Sequence, residues 1–389
     1  MKPVRILSST LDLLGEVDNY LSLTFCRSYH SPGEFQLVTN RKVQNAEQLD
    51  INNLIMLGAD PLKTGIVRHK EIRADERGVE MLTIKGYELG AIFHQRITVP
   101  PVGQAYDIQE GNAETVMKHY VQRNCLDIPG MEFPFLVIGD DQQRGEIVKW
   151  QTRYKNLGDE LEQISILTGL GWHIYPDFNS RKWVFDTYNG RNFSVNQNIN
   201  PPVIFSPEFD NIKSQEYIDS LTSYGNYAIV AGQGEGADRE VIMLGSDATG
   251  LDRHVVFVDA RDVQDVDDLP GRGEAKLAEH QRVISFQAEI INPVQINLDV
   301  YTTTYFLSES MMTQEHKGPF EYQQDWDVGD VVTVQNKDWG VTMDSRITEI
   351  TEIYEGSGFR LDAVFGNSVP TLVDVAKREI SQISVEVRR

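Results

Sequence analysis

Cysteine is almost missing from this chain: its 389 residues include two, Cys26 and Cys125, in unrelated segments. They are more readily free core thiols than a disulfide or a metal pair, and suit a reducing cytosol. Long hydrophobic runs are missing as well. No stretch of eighteen apolar residues occurs, so no membrane insertion by this chain is expected, and the N-terminus lacks the apolar core of a secretory signal. Positive charge is scarce: 36 Lys and Arg stand against 58 Asp and Glu, a formal net charge of −22. A field of that sign opposes grip on a nucleic-acid backbone and disfavours a DNA- or RNA-binding role. The same charge fits simple solubility or an acidic surface past which a polyanion slides.

Reactive motifs are missing too. The eight histidines (His30, His69, His94, His119, His173, His254, His280, His316) form no H-E-x-x-H pair and do not join the cysteines at zinc spacing. There is no G-x-S-x-G and no Ser/His/Asp order that stands out. Gly232-Gln233-Gly234-Glu235-Gly236 brings its third glycine one residue early for a dinucleotide loop, lacks the Lys of a phosphate loop, and reads as a hairpin turn. Asp259, Asp262, Asp265, Asp267 and Asp268 lack the turn glycine and late Glu of a calcium loop, and read as a solvated acidic loop. A glycosidase needs one pair of carboxylates, but with 58 acidic residues spacing selects none. The sequence therefore nominates no catalytic residue, no cofactor-binding residue and no metal ligand, and it implies no cofactor.

What is present is β-structure. Asp327–Gly366 organises the rest: Val331–Val334, a run from Val341 to Ile353, and Phe359–Phe365, joined by turns at Asn336–Gly340 and Gly356–Gly358. This predicts a three-stranded antiparallel meander with one buried face, and the spacing of Ile347, Ile350 and Ile353 predicts a bulge in its middle strand. Residues 4–100 read as mostly β, with a hairpin across Asp75–Gly78, a last strand at Arg96–Val99, and Pro100-Pro101 as a stop. Helices are expected after Asn112 and Asn156, the second ending at Gly169, followed by a hairpin of Trp172–Tyr175 and Trp183–Thr187. Tyr227–Val230 and His254–Val258 read as strands, and Ala275–Gln281 as a short helix. A long β stretch is expected over Ile284–Phe306, and a helix over Thr371–Ile380.

At this length two to four domains are expected. The fold class is α+β, predominantly β, with two β-barrel domains and an α+β insertion. Residues 1–104 form the first barrel, possibly completed by 203–260; 105–202 form the insertion; 261–389 form the second barrel with the meander.

Several stretches together resemble the baseplate and tail-hub proteins of siphoviruses, phages with long non-contractile tails, which are similar to the hub of contractile tails. They are LLGEVDNYLSLTFCRSYHSPGEFQLVTN (13–40), MLTIKGYELGAIFHQRIT (81–98), GLGWHIYPDF with VFDTYNG in 157–190, NYAIVAGQGEGADREV with VFVDARDV, and the meander with VFGNSVPTL. The resemblance rests on turn and packing patterns and carries no reactive residue. It implies a structural ring, commonly a homotrimer, whose six barrels would match a sixfold tail tube. The implied partners are further copies of itself, the distal tail protein ring, the tape measure protein and tail tip or fibre proteins, with DNA passing through without specific binding. The implied place is the virion tail, assembled in the host cytoplasm. Some relatives carry a C-terminal wall-degrading or fibre extension, for which Arg389 is expected to leave no room.

Two other readings compete. A tail-associated cell-wall hydrolase would use an acidic pair. A receptor- or carbohydrate-binding module could stack sugars on Trp150, Trp172 and Trp183, although a Trp-rich hairpin more often packs a core.

Overall fold

The computed structural model of the chain describes residues 2–261, 263, 265–291 and 320–366. The fold is α+β and predominantly β, as the residue pattern predicts. The predicted meander is its centre: Val331–Asn336, Val341–Glu355 and Gly358–Gly366 run antiparallel in that order. Alternation decides the face, so Leu361, Ala363 and Phe365 are buried while Arg360 and Asp362 point outward. The bulge falls where the isoleucine spacing puts it, with a register shift between Ile347 and Glu349.

The middle strand does more than a meander requires. Its first half pairs with Val331–Asn336, and its second half, Glu349–Glu355, pairs along the same edge with Ser22–Ser28. One thirteen-stranded sheet results. Its main path runs Ile212–Ser220, Val283–Ile290, Gly358–Gly366, Val341–Glu355, Ser22–Ser28, Glu34–Asn40, Glu80–Glu88, Thr64–Ala74, Leu54–Leu57, Val4–Leu7 and Leu13–Val17. Every neighbouring pair on it is antiparallel. The sheet covers two cores. One gathers Leu23, Phe25, Phe35, Leu37, Ile84 and Tyr354; the other gathers Phe205, Phe286, Trp326, Val332, Ile347 and Phe365.

Within residues 113–188 the two predicted helices and the predicted hairpin form, together with strands Leu136–Ile138 and Ile147–Thr152 that the pattern did not mark. Ala113–Gln122 and Leu157–Thr168 are helices, and Gly171–Asp177 pairs with Lys182–Tyr188. The side chain of Asn156 accepts the Asp159 N–H, and Gly169 closes the second helix at φ +67°, a left-handed conformation that favours glycine. Trp150, Trp172 and Trp183 are all buried in this core, which also takes Leu54, Ile66, Leu89 and Phe93 from the N-terminal region. Burying aromatic side chains of this size contributes roughly 2–3 kcal/mol each, so the three tryptophans serve packing.

Three expectations change. Arg96–Val99 is no strand; Leu89–Gln95 before it forms a 3₁₀ helix that buries Leu89, Ile92 and Phe93, and Ile97 makes only an isolated bridge to Asn156. The helix set at Ala275–Gln281 runs Leu269–Glu279 instead: Pro270 fits a first turn, and Gly273 lets the helix lie against Val230 and Leu244. Residues 203–260 take their pairs away from the first strands. Ile204–Phe205 joins Val331–Asn336, Ile212–Ser220 joins Val283–Ile290, and Tyr227–Ala231, Val241–Gly245 and Val255–Asp259 form a sheet of their own. Of the expected Ile284–Phe306 stretch, Val283–Ile290 is a strand; its remainder beyond residue 291 and the helix at 371–380 lie outside the described residues.

Candidate functional site

Where the N-terminal strands, the helix-bearing unit and the meander meet, the chain buries several charged groups. Arg27 lies on an inward position of Ser22–Ser28 and is only 5% exposed. Its guanidinium donates to Asp327 Oδ1 at 2.6 Å and to the Tyr322 hydroxyl at 3.3 Å, at the entrance to the meander. Burial would lower its pKa, but Asp327 holds it charged, well above the usual value. Beside it Glu88 Oε2 accepts the backbone N–H groups of Gly33 at 2.8 Å and Ser28 at 3.3 Å. Loss of solvent raises the Glu88 pKa to about 7, against the pull of those N–H groups and of Arg27.

A second buried pair lies across the same junction. Lys63, 1% exposed, meets Glu352, also 1% exposed, on the long middle strand. Lys63 also donates to Gln323 Oε1 at 2.8 Å, and the Tyr354 hydroxyl donates to Glu352 Oε2 at 2.5 Å. Burial alone would raise the Glu352 pKa, but the Lys63 charge holds it below the usual range. Such a pair costs much of its own attraction in desolvation, so it fixes geometry more than it adds stability.

Two residues beyond Arg27, Tyr29 acts as a pivot. Its hydroxyl lies 3.0 Å from the Gly169 carbonyl and 3.2 Å from the Tyr188 carbonyl, and accepts the Gly190 N–H at 3.4 Å. Its ring is clamped by two glycines: a Cβ on Gly171 or Gly329 would sit 2.4 Å from it. Gly190 and Gly329 also touch, since a Cβ on Gly190 would come within 1.6 Å of the Gly329 carbonyl oxygen. Arg191 completes the joint, bonding Asp330 through its backbone and guanidinium, both at 2.7 Å. The groups here are acceptors and donors already matched to one another, an arrangement that locks three segments together.

The residues marked in the sequence do not converge on a reactive centre. Gly232–Gly236 is the turn between two antiparallel strands, Tyr227–Ala231 and Val241–Gly245. Asp259 is held by Arg239 and Arg261, Asp268 by Lys149, and Asp265 caps a short helix at Asp267; Asp262 lies outside the described residues. The histidines are scattered: His30 bonds Ser165, His94 bonds Asn156, His119 bonds Asp107, His280 bonds the Ser223 carbonyl, and His173 stacks on Tyr188. Cys26 and Cys125 are free thiols, each pushed up to about 12 by burial. Among the described residues no three His, Cys, Asp or Glu side chains are grouped to hold a metal ion.

The family model of the siphovirus ReqiPepy6 Gp37-like proteins matches residues 3–367. The chain belongs to that family. This bears out the resemblance to siphovirus tail-hub proteins, and the match takes in all three segments of the Tyr29 joint. No curated protein sequence matches. Among solved structures, the 43 kDa tail protein of prophage MuSo2 from Shewanella oneidensis is similar in fold: TM-score 0.55 at 12% identity, over 94% of this chain and 98% of that one. A tail protein from Neisseria meningitidis MC58 gives 0.55 at 11% identity, over 95% and 97%. Prophage tail protein gp18 from Listeria monocytogenes EGD-e gives 0.51 at 11% identity, over 99% and 100%. At these identities the likeness is one of fold.

Sequence reasoning missed the Tyr29 joint. Tyr29 lies inside the stretch that carries the family resemblance, and Gly329 inside the meander, but the glycines that meet around Tyr29 are some 140 to 300 positions from it. Only the fold brings them together.

Proposed function

We propose that this chain is a structural, non-enzymatic phage tail protein of the baseplate-hub type. The observation that carries the reading is the family match over nearly the whole chain, in a fold shared with prophage tail proteins. The packing supports it, because the buried charged groups hold segments together and the three tryptophans named for sugar stacking are core. In this reading three copies form a ring at the distal end of the tail tube. The ring contacts the distal tail protein, the tape measure protein and tip or fibre proteins, within a virion assembled in the host cytoplasm. Each copy is divided into two barrel-like units and an insertion, and DNA passes without sticking through a ring whose three copies together carry a formal charge of about −66, three times −22.

Light scattering of the purified full-length chain, with negative-stain images of the same peak, tests the reading. The expected mass is about 132 kDa, three times 44.2 kDa, in ring-shaped particles. Turnover of cell-wall fragments by the isolated chain, abolished by a single Asp or Glu substitution, would replace the structural reading with the hydrolase one.

A further inference from the structure

Lys63 ends the short 3₁₀ helix Pro61–Lys63 and is 1% exposed, so its amine meets only what the fold brings to it. On one side stands Glu352 of the long middle strand. Its Oε1 touches Lys63 Nζ and, among the described residues, accepts from no other group. On another side is the carboxamide of Gln323, whose Oε1 lies 2.8 Å from Nζ. The Tyr322 ring, 4.8 Å from Nζ, shields the amine further. Burial, with the charge of Lys2, lowers the Lys63 pKa more than Glu352 and Asp60 raise it. A lysine desolvated in this way is activated as a nucleophile.

The carboxamide is fixed at both ends. Gln323 Nε2 donates to Asp60 Oδ2 at 2.8 Å, and Asp60 is itself held as the cap of Pro61–Lys63, its Oδ1 accepting the Leu62 N–H at 3.0 Å. The Gln323 backbone turns at φ +67° and its N–H donates to the Trp326 carbonyl at 2.8 Å. Glu352 is fixed too, its second oxygen taken by the Tyr354 hydroxyl at 2.5 Å. Gln323 is nevertheless exposed, so a small leaving group released there reaches solvent. An amine, an uncharged carbonyl and a carboxylate in mutual contact are the parts of an amide exchange: nucleophile, electrophile and proton carrier.

We propose that Lys63 and Gln323 join in an isopeptide bond within the folded chain, with Glu352 carrying the protons. Glu352 Oε1 takes a proton from the Lys63 ammonium, and the freed lone pair of Nζ attacks Gln323 Cδ. The carbonyl electrons move onto Oε1 and return as the Cδ–Nε2 bond breaks. Glu352 passes its proton to Nε2, which leaves as ammonia, and takes the second proton that Nζ sheds. No oxidant, reductant or co-reactant enters. The buried ion pair ends as a neutral amide and a neutral acid, which removes the desolvation cost of both charges. The bond ties the N-terminal strands to the entrance of the meander across 260 positions of chain. It is internal to one copy and independent of ring formation, and chain that has not reacted holds the ion pair described above.

The test is the intact mass of the full-length 44.2 kDa chain, kept folded near neutral pH and unfolded for weighing at intervals. Wild type should become about 17 Da lighter, the mass of ammonia, and digestion should release one branched peptide joining Lys63 to Gln323. Gln323→Ala, at an exposed position, should keep its sequence mass. Glu352→Gln should react roughly a hundredfold more slowly. That variant strips Lys63 of its partner, so wild type and Gln323→Ala decide the matter even where it does not fold. A wild type that keeps its sequence mass while circular dichroism shows it folded would overturn the bond. So would an equal loss in Gln323→Ala, since the ammonia would then come from elsewhere, such as Asn189 beside Gly190. Folded Glu352→Gln reacting at the wild-type rate would overturn the role given to Glu352.

Discussion

The Tyr29 joint and the small sheet treat their surfaces in opposite ways. Around Tyr29 three glycines remove every side chain that could intervene, and the buried charges are matched to one another within the chain. In the small sheet the apolar residues outnumber what the helix Leu269–Glu279 can cover, and half of them face outward. The first region is complete as it stands, while the second carries more apolar surface than its own core uses. Internal rigidity and surface held for another body are thus placed in different parts of one chain.

The sharpest way to break this contrast is at the joint. Gly190→Ala would push a methyl group into the Gly329 carbonyl, a backbone atom with nowhere to go, and should cost at least about 4 kcal/mol or prevent folding. Thermal unfolding of the purified variant measures this, and a melting temperature near wild type would show the three segments to be loosely joined. Lys63→Met, leaving Glu352 buried without its partner, should cost roughly 3–5 kcal/mol, and adding Glu352→Leu should restore much of it. A double variant no better than the single one would mean the pair is needed for more than charge balance.

Glu88 gives a smaller effect with a defined sign. Its folded pKa, about 7, stands above the ordinary 4.5. Its contribution is therefore fully present below pH 4.5 and is lost as pH rises to 7, where the unfolded chain ionises more readily. Glu88→Gln keeps an acceptor for Gly33 and Ser28, so its advantage over wild type should grow from nothing near pH 4.5 to roughly 3 kcal/mol above pH 7. His30 and His173, lowered to about 4 by burial, lose stability in the opposite direction, as pH falls from 6.5 toward 4. They are present in both proteins and cancel in the difference. The same difference in urea midpoint between Glu88→Gln and wild type at pH 5 and at pH 8 would refute the assignment.

The smallest effect sharpens the other side of the contrast. Met243→Thr, on the outward face, should change the stability of the monomer by less than about 0.5 kcal/mol, whereas Leu269→Ala under the inner face should cost roughly 2–4. Comparable losses in chemical denaturation would mean the outer face is already covered within the chain.

Legibility in the sequence followed the range of the interactions. The meander, its bulge, the Asn156 cap and the Trp172–Trp183 hairpin depend on residues within about a turn of one another, and alternation or capping chemistry marks them. The Arg96–Val99 strand and the late start given to the helix failed for a related reason. Ile92 and Phe93 bury as a 3₁₀ turn because Trp172 and Phe185 come to meet Phe93 from far along the chain, and Pro270 with two nearby glycines hides a helix that the small sheet supports. Arg27, Lys63 and Tyr29 left no trace, since a lone cation or tyrosine reads like any surface residue until its partner some 300 positions away is in place.

The middle strand of the meander has a mechanical meaning. Fifteen extended residues make a rod about 50 Å long, and a strand of each core, Val331–Asn336 and Ser22–Ser28, pairs with successive halves of its one edge. Tension applied to either core is therefore passed to the other as shear along a shared row of hydrogen bonds, so neither can peel away without stripping the rod that anchors its neighbour. Pulled by its ends in a force experiment, such a chain should yield both cores in one event.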